Sequence, residues 1–190
     1  MRLSVVFLAA AIGSAMSIAN AQTGSIAGLA KNSTTISTAP SGGGLLVGGS
    51  DDCSTPDPIS GVGSWAYDQT AATTGTEGQS ESLCYQFGQT TVHVDVWFDW
   101  TATFTGNVKV DTCGSSNDTK IAAYPTAGCP VGVGTALDCN DDSCGLQSVI
   151  QFACTTGQTY ALQVGCYSAF GGSTGMLNVS EVVPPPGCPI

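Results

Sequence analysis

A regular alternation of apolar and polar side chains runs from Thr91 to Phe104 and restricts this part of the chain to β-structure. Successive side chains of a strand point to opposite faces, so the alternation gives one apolar face and one largely polar face. The segment is longer than a usual strand of about 5–6 residues, which indicates a bend or bulge that reverses the facing beyond it. The apolar positions are Val92, Val94, Val96, Phe98, Trp100, Ala102 and Phe104.

Shorter apolar segments on both sides predict further strands, separated by turns rich in Gly, Asp and Asn. Residues 150–154 and 160–164 carry apolar side chains at alternate positions around the turn 155–158, which predicts a β-hairpin. No long segment has the 3.6-residue period of a helix. The total of eight or nine short strands predicts an all-β domain, either a two-sheet sandwich or a barrel.

The N-terminus has the features of an export signal. Arg2 precedes a short apolar run, and small residues end at Ala21, so we predict a signal peptide at residues 1–21 rather than a membrane anchor. The segments that follow are a flexible low-complexity leader (22–50), a folded domain (51–183) and a Pro-rich tail (184–190). We therefore expect a secreted protein, located outside the cell or at its surface.

Charge and cysteine content limit the possible partners. The formal net charge is −10, which disfavours binding to nucleic acid or to anionic lipid, and no segment predicts membrane insertion. Nine cysteines in an exported chain predict disulfides rather than a zinc site. From their order along the chain we predict four pairs and a ninth cysteine, Cys188, left over in the tail. The predicted pairs are Cys53–Cys84, Cys129–Cys139, Cys113–Cys144 and Cys154–Cys166.

Two acidic loops, residues 111–119 and 138–145, are predicted at one end of the domain. Oxygen-rich side chains at alternate positions are typical of calcium loops, although the spacing is not that of an EF-hand. The alternative is that these Asp and Asn side chains bind backbone N–H groups in turns. The candidate calcium ligands are Asp138, Asn140 and Asp142 from one loop and Asp111, Asn117 and Asp118 from the other.

The polar face of the long strand is a candidate binding surface. It carries Trp97 between carboxylates, and an exposed indole could stack on a sugar or anchor a protein partner. The alternative is that a loop or the leader covers this face. The candidate binding residues are His93, Asp95, Trp97 and Asp99.

A catalytic function is not predicted. Residues 171–175 match the G-x-S-x-G pattern around Ser173, but this pattern requires a strand–turn–helix context and a histidine base. The chain contains one histidine, His93, and it lies in the middle of a predicted strand.

A series of short motifs resembles the bacterial pre-peptidase C-terminal-like domain over residues 51–183. The series is Asp51-Asp52-Cys53, Cys84, residues 95–98, 101–103, 112–114, 118–119, 139–145, 157–160 and 164–165. This resemblance implies a secreted jelly-roll-like β-sandwich that serves as a non-catalytic accessory module. Some members of that family bind calcium or matrix polymers.

These observations predict a secreted binding, accessory or adhesion module that contacts an extracellular polymer or protein. The alternative is a subunit of an extracellular surface or matrix that assembles with copies of itself. A hydrolase is a third and weaker possibility.

Overall fold

Ten β-strands run through the part of the chain that the computed structural model describes, residues 47–130, 132–183 and 187. The only helix among these residues is a single 3₁₀ turn at Ser82–Cys84, and no helix there is long and apolar enough to cross a membrane. The strands are β1 (Val47–Gly48), β2 (Asp57–Ser60), β3 (Gly63–Asp68), β4 (His93–Thr101), β5 (Gly106–Asp111), β6 (Thr119–Tyr124), β7 (Asp138–Asn140), β8 (Val149–Cys154), β9 (Thr159–Cys166) and β10 (Thr174–Glu181).

The strands form two five-stranded sheets, which confirms the predicted two-sheet jelly-roll-like sandwich. Sheet A has the order β1-β3-β10-β5-β8, and sheet B has the order β2-β4-β9-β6-β7. The short strands β1 and β2 run parallel to their neighbours, whereas the other described pairings are antiparallel.

The core between the sheets is organised around Trp100, which is fully buried. Its ring lies 5.7 Å from Tyr160 and 6.2 Å from both Phe104 and Phe152, measured between centroids. Its Nε1 donates a 2.8 Å hydrogen bond to the carbonyl of Gly61. The indole therefore fills the core while its one polar atom is satisfied.

The predicted break in the long strand lies near the start of β4. The register between β4 and β9 shifts between His93 and Val96, and Val94 has a φ of 50°, which a β-branched residue rarely adopts. Beyond this bulge Val96 faces the core between the sheets, whereas Val92 packs on the opposite face of sheet B with Trp97. The apolar face is thus reversed across the bulge.

The predicted hairpin of residues 150–154 and 160–164 is wrong. Strand β8 pairs with β5 in sheet A, and β9 pairs with β4 and β6 in sheet B, so the intervening turn crosses from one sheet to the other. The apolar rows of both strands do face the core, but from opposite sides. The sequence pattern of an inward apolar row is the same whether two strands are neighbours in one sheet or face each other across the core.

The folded domain begins before the predicted boundary at residue 51. Val47–Gly48 pairs with β3, and Ser50 forms a bridge with Trp97 through two backbone hydrogen bonds of 2.8 and 3.1 Å. Residues 47–50 of the predicted leader therefore belong to the folded domain. The predicted signal peptide, the rest of the leader and Cys188 lie outside the described residues.

The disulfide prediction is correct for one pair and wrong for the other three. Cys113 pairs with Cys144 and joins the two acidic loops, as predicted. The other two disulfides are Cys53–Cys129 and Cys84–Cys139. The four cysteines of the predicted pairs Cys53–Cys84 and Cys129–Cys139 therefore do form two disulfides, but with exchanged partners.

The exchange has a topological cause. The chain before β2 and the loop between β3 and β4 both fold over the outer face of sheet B, the face turned away from sheet A. This places Cys53 beside the turn after β6 and Cys84 beside β7. Proximity along the sequence is then a poor guide to proximity in space.

The predicted pair Cys154–Cys166 does not form. Cys154 pairs with Gly106 in sheet A, whereas Cys166 pairs with His93 and Thr119 in sheet B. Both thiols are buried and unbonded to another cysteine within the described residues. Cys154 ends β8 beside the turn, whereas Cys166 is the last residue of β9, roughly 20 Å further along that strand, which is too far for a disulfide.

Candidate functional site

Trp97, the centre of the predicted binding surface, is covered by the loop layer and is only 1% exposed. Its ring packs 6.0 Å from the ring of Tyr124 and lies among Cys53, Cys84 and Cys139. The alternative interpretation, a face covered by loops, is therefore the correct one. Trp97 belongs to a second core on the outer side of sheet B.

Asp95 is also buried and takes part in a polar network beneath the loop layer. It accepts hydrogen bonds of 3.0 Å from the backbone N–H of Gly75 and from Nε2 of Gln163. Burial raises the pKa of the Asp95 carboxyl, and these two hydrogen bonds oppose that increase. The carboxylate thus holds the loop to the sheet rather than facing a ligand.

The other two residues of the predicted surface have structural contacts as well. Asp99 Oδ1 accepts a 2.8 Å hydrogen bond from the backbone N–H of Gly128. His93 is partly buried, with Nε2 lying 3.4 Å from Oε1 of Gln89. Burial and the nearby charge of Lys120 lower the pKa of His93, which favours the neutral ring. The structure therefore does not assemble the four residues into an open binding surface.

Two of the predicted calcium ligands accept hydrogen bonds from backbone N–H groups at the edge of sheet A. Asp138 Oδ2 accepts a 2.8 Å hydrogen bond from the backbone N–H of Gln151, and Asn140 Oδ1 accepts a 2.9 Å bond from that of Val149. Both donors belong to the edge strand β8, and both acceptors belong to β7 of the other sheet. These side chains satisfy edge N–H groups that could otherwise pair with a second chain.

Asp111 and Asn117 likewise form contacts within the fold. Asp111 accepts a 3.2 Å hydrogen bond from the backbone N–H of Cys113 and forms a 2.9 Å ion pair with Lys109. Asn117 Oδ1 accepts a 3.3 Å bond from the hydroxyl of Tyr67. Four of the six predicted ligands therefore accept hydrogen bonds from other groups of the fold.

The remaining two, Asp118 and Asp142, lie together with Asp141. One carboxylate oxygen from each of the three lies within 4.8 Å of the others. They line a cleft of about 230 Å³ that is closed on its other side by Phe87 and Tyr167. These five residues are called the acidic–aromatic cleft below.

A lysine supplies positive charge at the floor of this cleft. The register of β6 and β7 pairs Ile121 with Asn140, and one step further it places Lys120 opposite Asp141. Lys120 Nζ lies 3.8 Å from Asp141 Oδ2, and the two side chains are 0% and 1% exposed. The ammonium thus lies beside Asp141, a carboxylate that is not among the six predicted calcium ligands. Calcium binding stays a prediction, but of its six proposed ligands only Asp118 and Asp142 lie in one carboxylate cluster.

Burial shifts the pKa of each charged group at this floor towards its neutral form. It lowers the pKa of Lys120 and raises that of Asp141 to about 6, while the attraction between the two groups opposes both shifts. It also raises the pKa of Asp118, and the nearby carboxylate of Asp142 adds to that increase. Burial and mutual attraction therefore act in opposite directions on this pair.

Buried hydroxyl groups fix the backbone of the two loops beneath the cleft. Ser148 Oγ lies 2.6 Å from the carbonyl oxygen of Thr119 and 2.5 Å from that of Asp141. The Ser148 N–H lies 3.1 Å from the hydroxyl oxygens of both Thr112 and Thr119. Together with Cys113–Cys144, these contacts position the carboxylates rigidly.

The aromatic side of the cleft is formed by a tight turn. Gln86 and Gln89 exchange two 3.1 Å backbone hydrogen bonds, and the central residues Phe87 and Gly88 have φ values of 48° and 95°. Positive φ at both central positions defines a type I′ turn, which favours Asn or Gly rather than Phe. Phe87 nevertheless occupies the tip, 69% exposed, with its ring edge-to-face with Tyr167 at 6.2 Å.

Sequence reasoning missed four residues of this arrangement: Phe87, Lys120, Asp141 and Tyr167. A signal existed for Lys120, which interrupts the apolar residues of β6 with a charge. Phe87 and Gly88 lie between Gln86 and Gln89, and the glycine gives a weak indication of a turn there. The approach of residues 87 and 167 follows from the folding of the loop over sheet B, which no local pattern indicates.

The G-x-S-x-G segment has no catalytic geometry. Ser173 Oγ lies 3.4 Å from the carbonyl oxygen of Thr174 at the start of β10, and its backbone carbonyl accepts a hydrogen bond from Gln69. Within the described residues it forms no hydrogen bond with His93, whose ring contacts Gln89. The segment is a turn that leads into a strand.

A family model described as "Galactose binding domain-like", of a T9SS-associated group, matches residues 49–177. The chain belongs to this galactose-binding-domain-like family. Among solved structures, the chain is similar to the pre-peptidase C-terminal domain of a collagenase from Bacillus anthracis. The sequence identity is 10% and the TM-score 0.42, over 66% of this chain and 95% of that chain. No curated protein matches the chain.

Domains of the galactose-binding-domain-like family are typically non-catalytic accessory domains. The family match covers all five residues of the acidic–aromatic cleft, and it covers the nine strands β2 to β10 at least in part. The sequence resemblance to a pre-peptidase C-terminal-like β-sandwich is confirmed in fold by the two-sheet architecture.

Proposed function

We propose that the protein is a secreted, non-catalytic binding module and that the acidic–aromatic cleft is its ligand site. The observation that supports this most strongly is the exposed position of Phe87. An apolar ring held 69% exposed at the tip of a turn that disfavours it contributes little to stability. Backbone strain of this kind, of about 1–3 kcal/mol, is concentrated at ligand sites.

The chemistry of the cleft favours a polymer with ring faces and hydroxyl groups. Phe87 and Tyr167 present apolar surfaces on which a sugar ring can stack. Asp142 and Asp118, at the same opening, can accept hydrogen bonds from hydroxyl groups. We therefore propose an extracellular polysaccharide as the ligand.

Charge restricts the ligand further. The chain carries a net charge of −10, and the carboxylates of the cleft outnumber its single lysine. A polyanion would be repelled both by the whole surface and by the site. The ligand should therefore be neutral or cationic.

Retention of the mature protein on polysaccharides of different charge tests this proposal. We expect retention on insoluble xylan or chitosan, but not on alginate gel at the same ionic strength. The variant Phe87→Ala should lose retention, whereas Phe170→Ala, which removes another exposed ring outside the cleft, should not. Unchanged retention of Phe87→Ala, or equal retention on alginate, would overturn the proposal.

A further inference from the structure

Lys120 and Asp141 form an isolated pair at the floor of the cleft. Lys120 lies on β6 and Asp141 directly follows β7, with Nζ 3.8 Å from Oδ2, and both side chains are excluded from solvent. Within the described residues neither carboxylate oxygen of Asp141 accepts a hydrogen bond. A buried ion pair is stable only when additional hydrogen bonds satisfy its remaining donors and acceptors. This pair lacks them on the acid side.

A third group beside the pair is also unsatisfied. Asp118 lies two residues before Lys120 and contributes an oxygen to the same carboxylate cluster. Its Oδ1 is buried and has no hydrogen-bond partner within the described residues. An amine, a facing carboxyl group and a second carboxyl group are thus assembled beside the cleft.

We propose that Lys120 and Asp141 join in an intramolecular isopeptide bond, an amide between Nζ and Cγ, and that Asp118 transfers the protons. This inference concerns the floor of the cleft and does not depend on the proposed ligand.

The reaction is a condensation that needs no other reactant. The neutral amine of Lys120 attacks Cγ of the protonated Asp141 carboxyl, and the new Nζ–Cγ bond gives a tetrahedral intermediate. Asp118 accepts a proton from the nitrogen and delivers it to a hydroxyl group on Cγ, whose C–O bond then breaks. One water molecule leaves, Asp118 returns to its initial state, and no atom is oxidised or reduced.

The environment favours each requirement of this step. Lys120 Nζ donates a 3.2 Å hydrogen bond to the carbonyl of Gln89, which holds the amine in place. Both side chains are excluded from solvent, at 0% and 1% exposed, which disfavours their charged forms. Holding the two reacting groups together replaces a bimolecular encounter with an intramolecular one. Exclusion of water also opposes hydrolysis of the product.

The mass of the mature protein tests the proposal directly. After the disulfides are reduced and alkylated, the intact chain should be lighter than its sequence by one water molecule. Fragmentation of a digest should find a branched peptide that links Lys120 to Asp141. A chain of full mass, or a water loss that maps to other residues, would overturn the proposal.

Four variants separate the bond from a simple ion pair. Lys120→Arg keeps the positive charge but should show no mass loss. Asp141→Asn should lose ammonia in place of water, because an amide nitrogen is then the leaving group. Asp118→Ala should leave most of the chain unlinked, whereas Asp142→Asn, a change to the neighbouring exposed carboxylate, should still be linked. Full mass combined with a melting temperature that chelator lowers would instead assign the cluster to a divalent cation and overturn the proposal.

Discussion

Trp97 and Phe87 illustrate, at the scale of single residues, how burial decides function in this domain. Trp97 lies on the face of β4 that the alternation assigned to solvent, yet loops cover it almost completely. Phe87 lies in a short segment without a clear pattern, yet its ring is the exposed one. An aromatic residue gives the same signal in sequence whether its ring is buried in a second core or exposed in a cleft.

Trp97→Ala should therefore reduce stability strongly. Removal of a fully buried indole leaves a cavity between sheet B and the loop layer, and we expect a loss of about 3–5 kcal/mol. Denaturant unfolding measures this loss, and Phe170→Ala is the control, since that ring is 99% exposed. The control should change the free energy of unfolding by about 0.5 kcal/mol or less. A similarly small change for Trp97→Ala would show that the indole is not buried.

Phe87→Asn should stabilise the protein and weaken binding. Asparagine adopts positive φ more easily than phenylalanine at this position of a type I′ turn, so we expect a gain of about 1 kcal/mol. The same variant removes the exposed ring of the cleft. Thermal unfolding and polysaccharide retention, measured on the same preparation, test both effects. A loss of stability would mean that Phe87 has a packing role.

Asp95 should make the stability fall with increasing pH. Its pKa in the folded state is raised above the ordinary value of 3.8, so the folded state binds this proton more tightly than the unfolded state. The resulting stabilisation is complete below pH 3.8 and is lost as the pH rises through the folded pKa. The free energy of unfolding, measured relative to Asp95→Asn, should decrease over this window. A difference that is independent of pH would contradict the assignment.

At the scale of elements, the sandwich closes one edge with side chains. Asp138 and Asn140 of β7 accept hydrogen bonds from the edge strand β8, which belongs to the other sheet. A motif with the composition of a calcium loop thus connects the two sheets. The bond pattern also leaves fewer free N–H groups on β8 for pairing with a second copy of the chain.

Asn140→Ala should cost about 1–3 kcal/mol, because it leaves the N–H of Val149 without its partner. The loss should be the same in calcium and in chelator, since the side chain acts as a cap. Asn107→Ala on β5 is a matched control, because that residue is exposed and its side chain forms no hydrogen bond within the described residues. A loss for Asn140→Ala that disappears in chelator would restore Asn140 as a calcium ligand.

The elements themselves were largely predictable, whereas their partners were not. Alternation located β4, β8 and β9 because burial on one face determines the identity of alternate residues. The same alternation occurs in a hairpin and in two strands that face each other across a core. The sequence therefore could not show that β8 and β9 belong to different sheets. The disulfide errors have the same origin, since Cys53 and Cys84 belong to segments that cross over sheet B.

At the scale of the whole molecule, the domain has three layers: sheet A, sheet B and the loops that cover the outer face of sheet B. The disulfides Cys53–Cys129 and Cys84–Cys139 fasten the third layer, and Cys113–Cys144 fastens the end where the acidic loops meet. The acidic–aromatic cleft lies where the covering loop and these acidic loops meet. The sequence predicted the acidic part of this site, because carboxylates cluster along the chain, but not the aromatic part.

Equilibrium binding of the mature protein to the polysaccharide that retains it tests the central claim, that the cleft is the ligand site. Tyr167→Ala removes one stacking surface and should raise Kd about tenfold, which corresponds to about 1.4 kcal/mol. Phe170→Ala, at an exposed ring three residues away, should leave Kd unchanged. An unchanged Kd for Tyr167→Ala, in a variant that unfolds at the same temperature as the original protein, would contradict the assignment of the cleft.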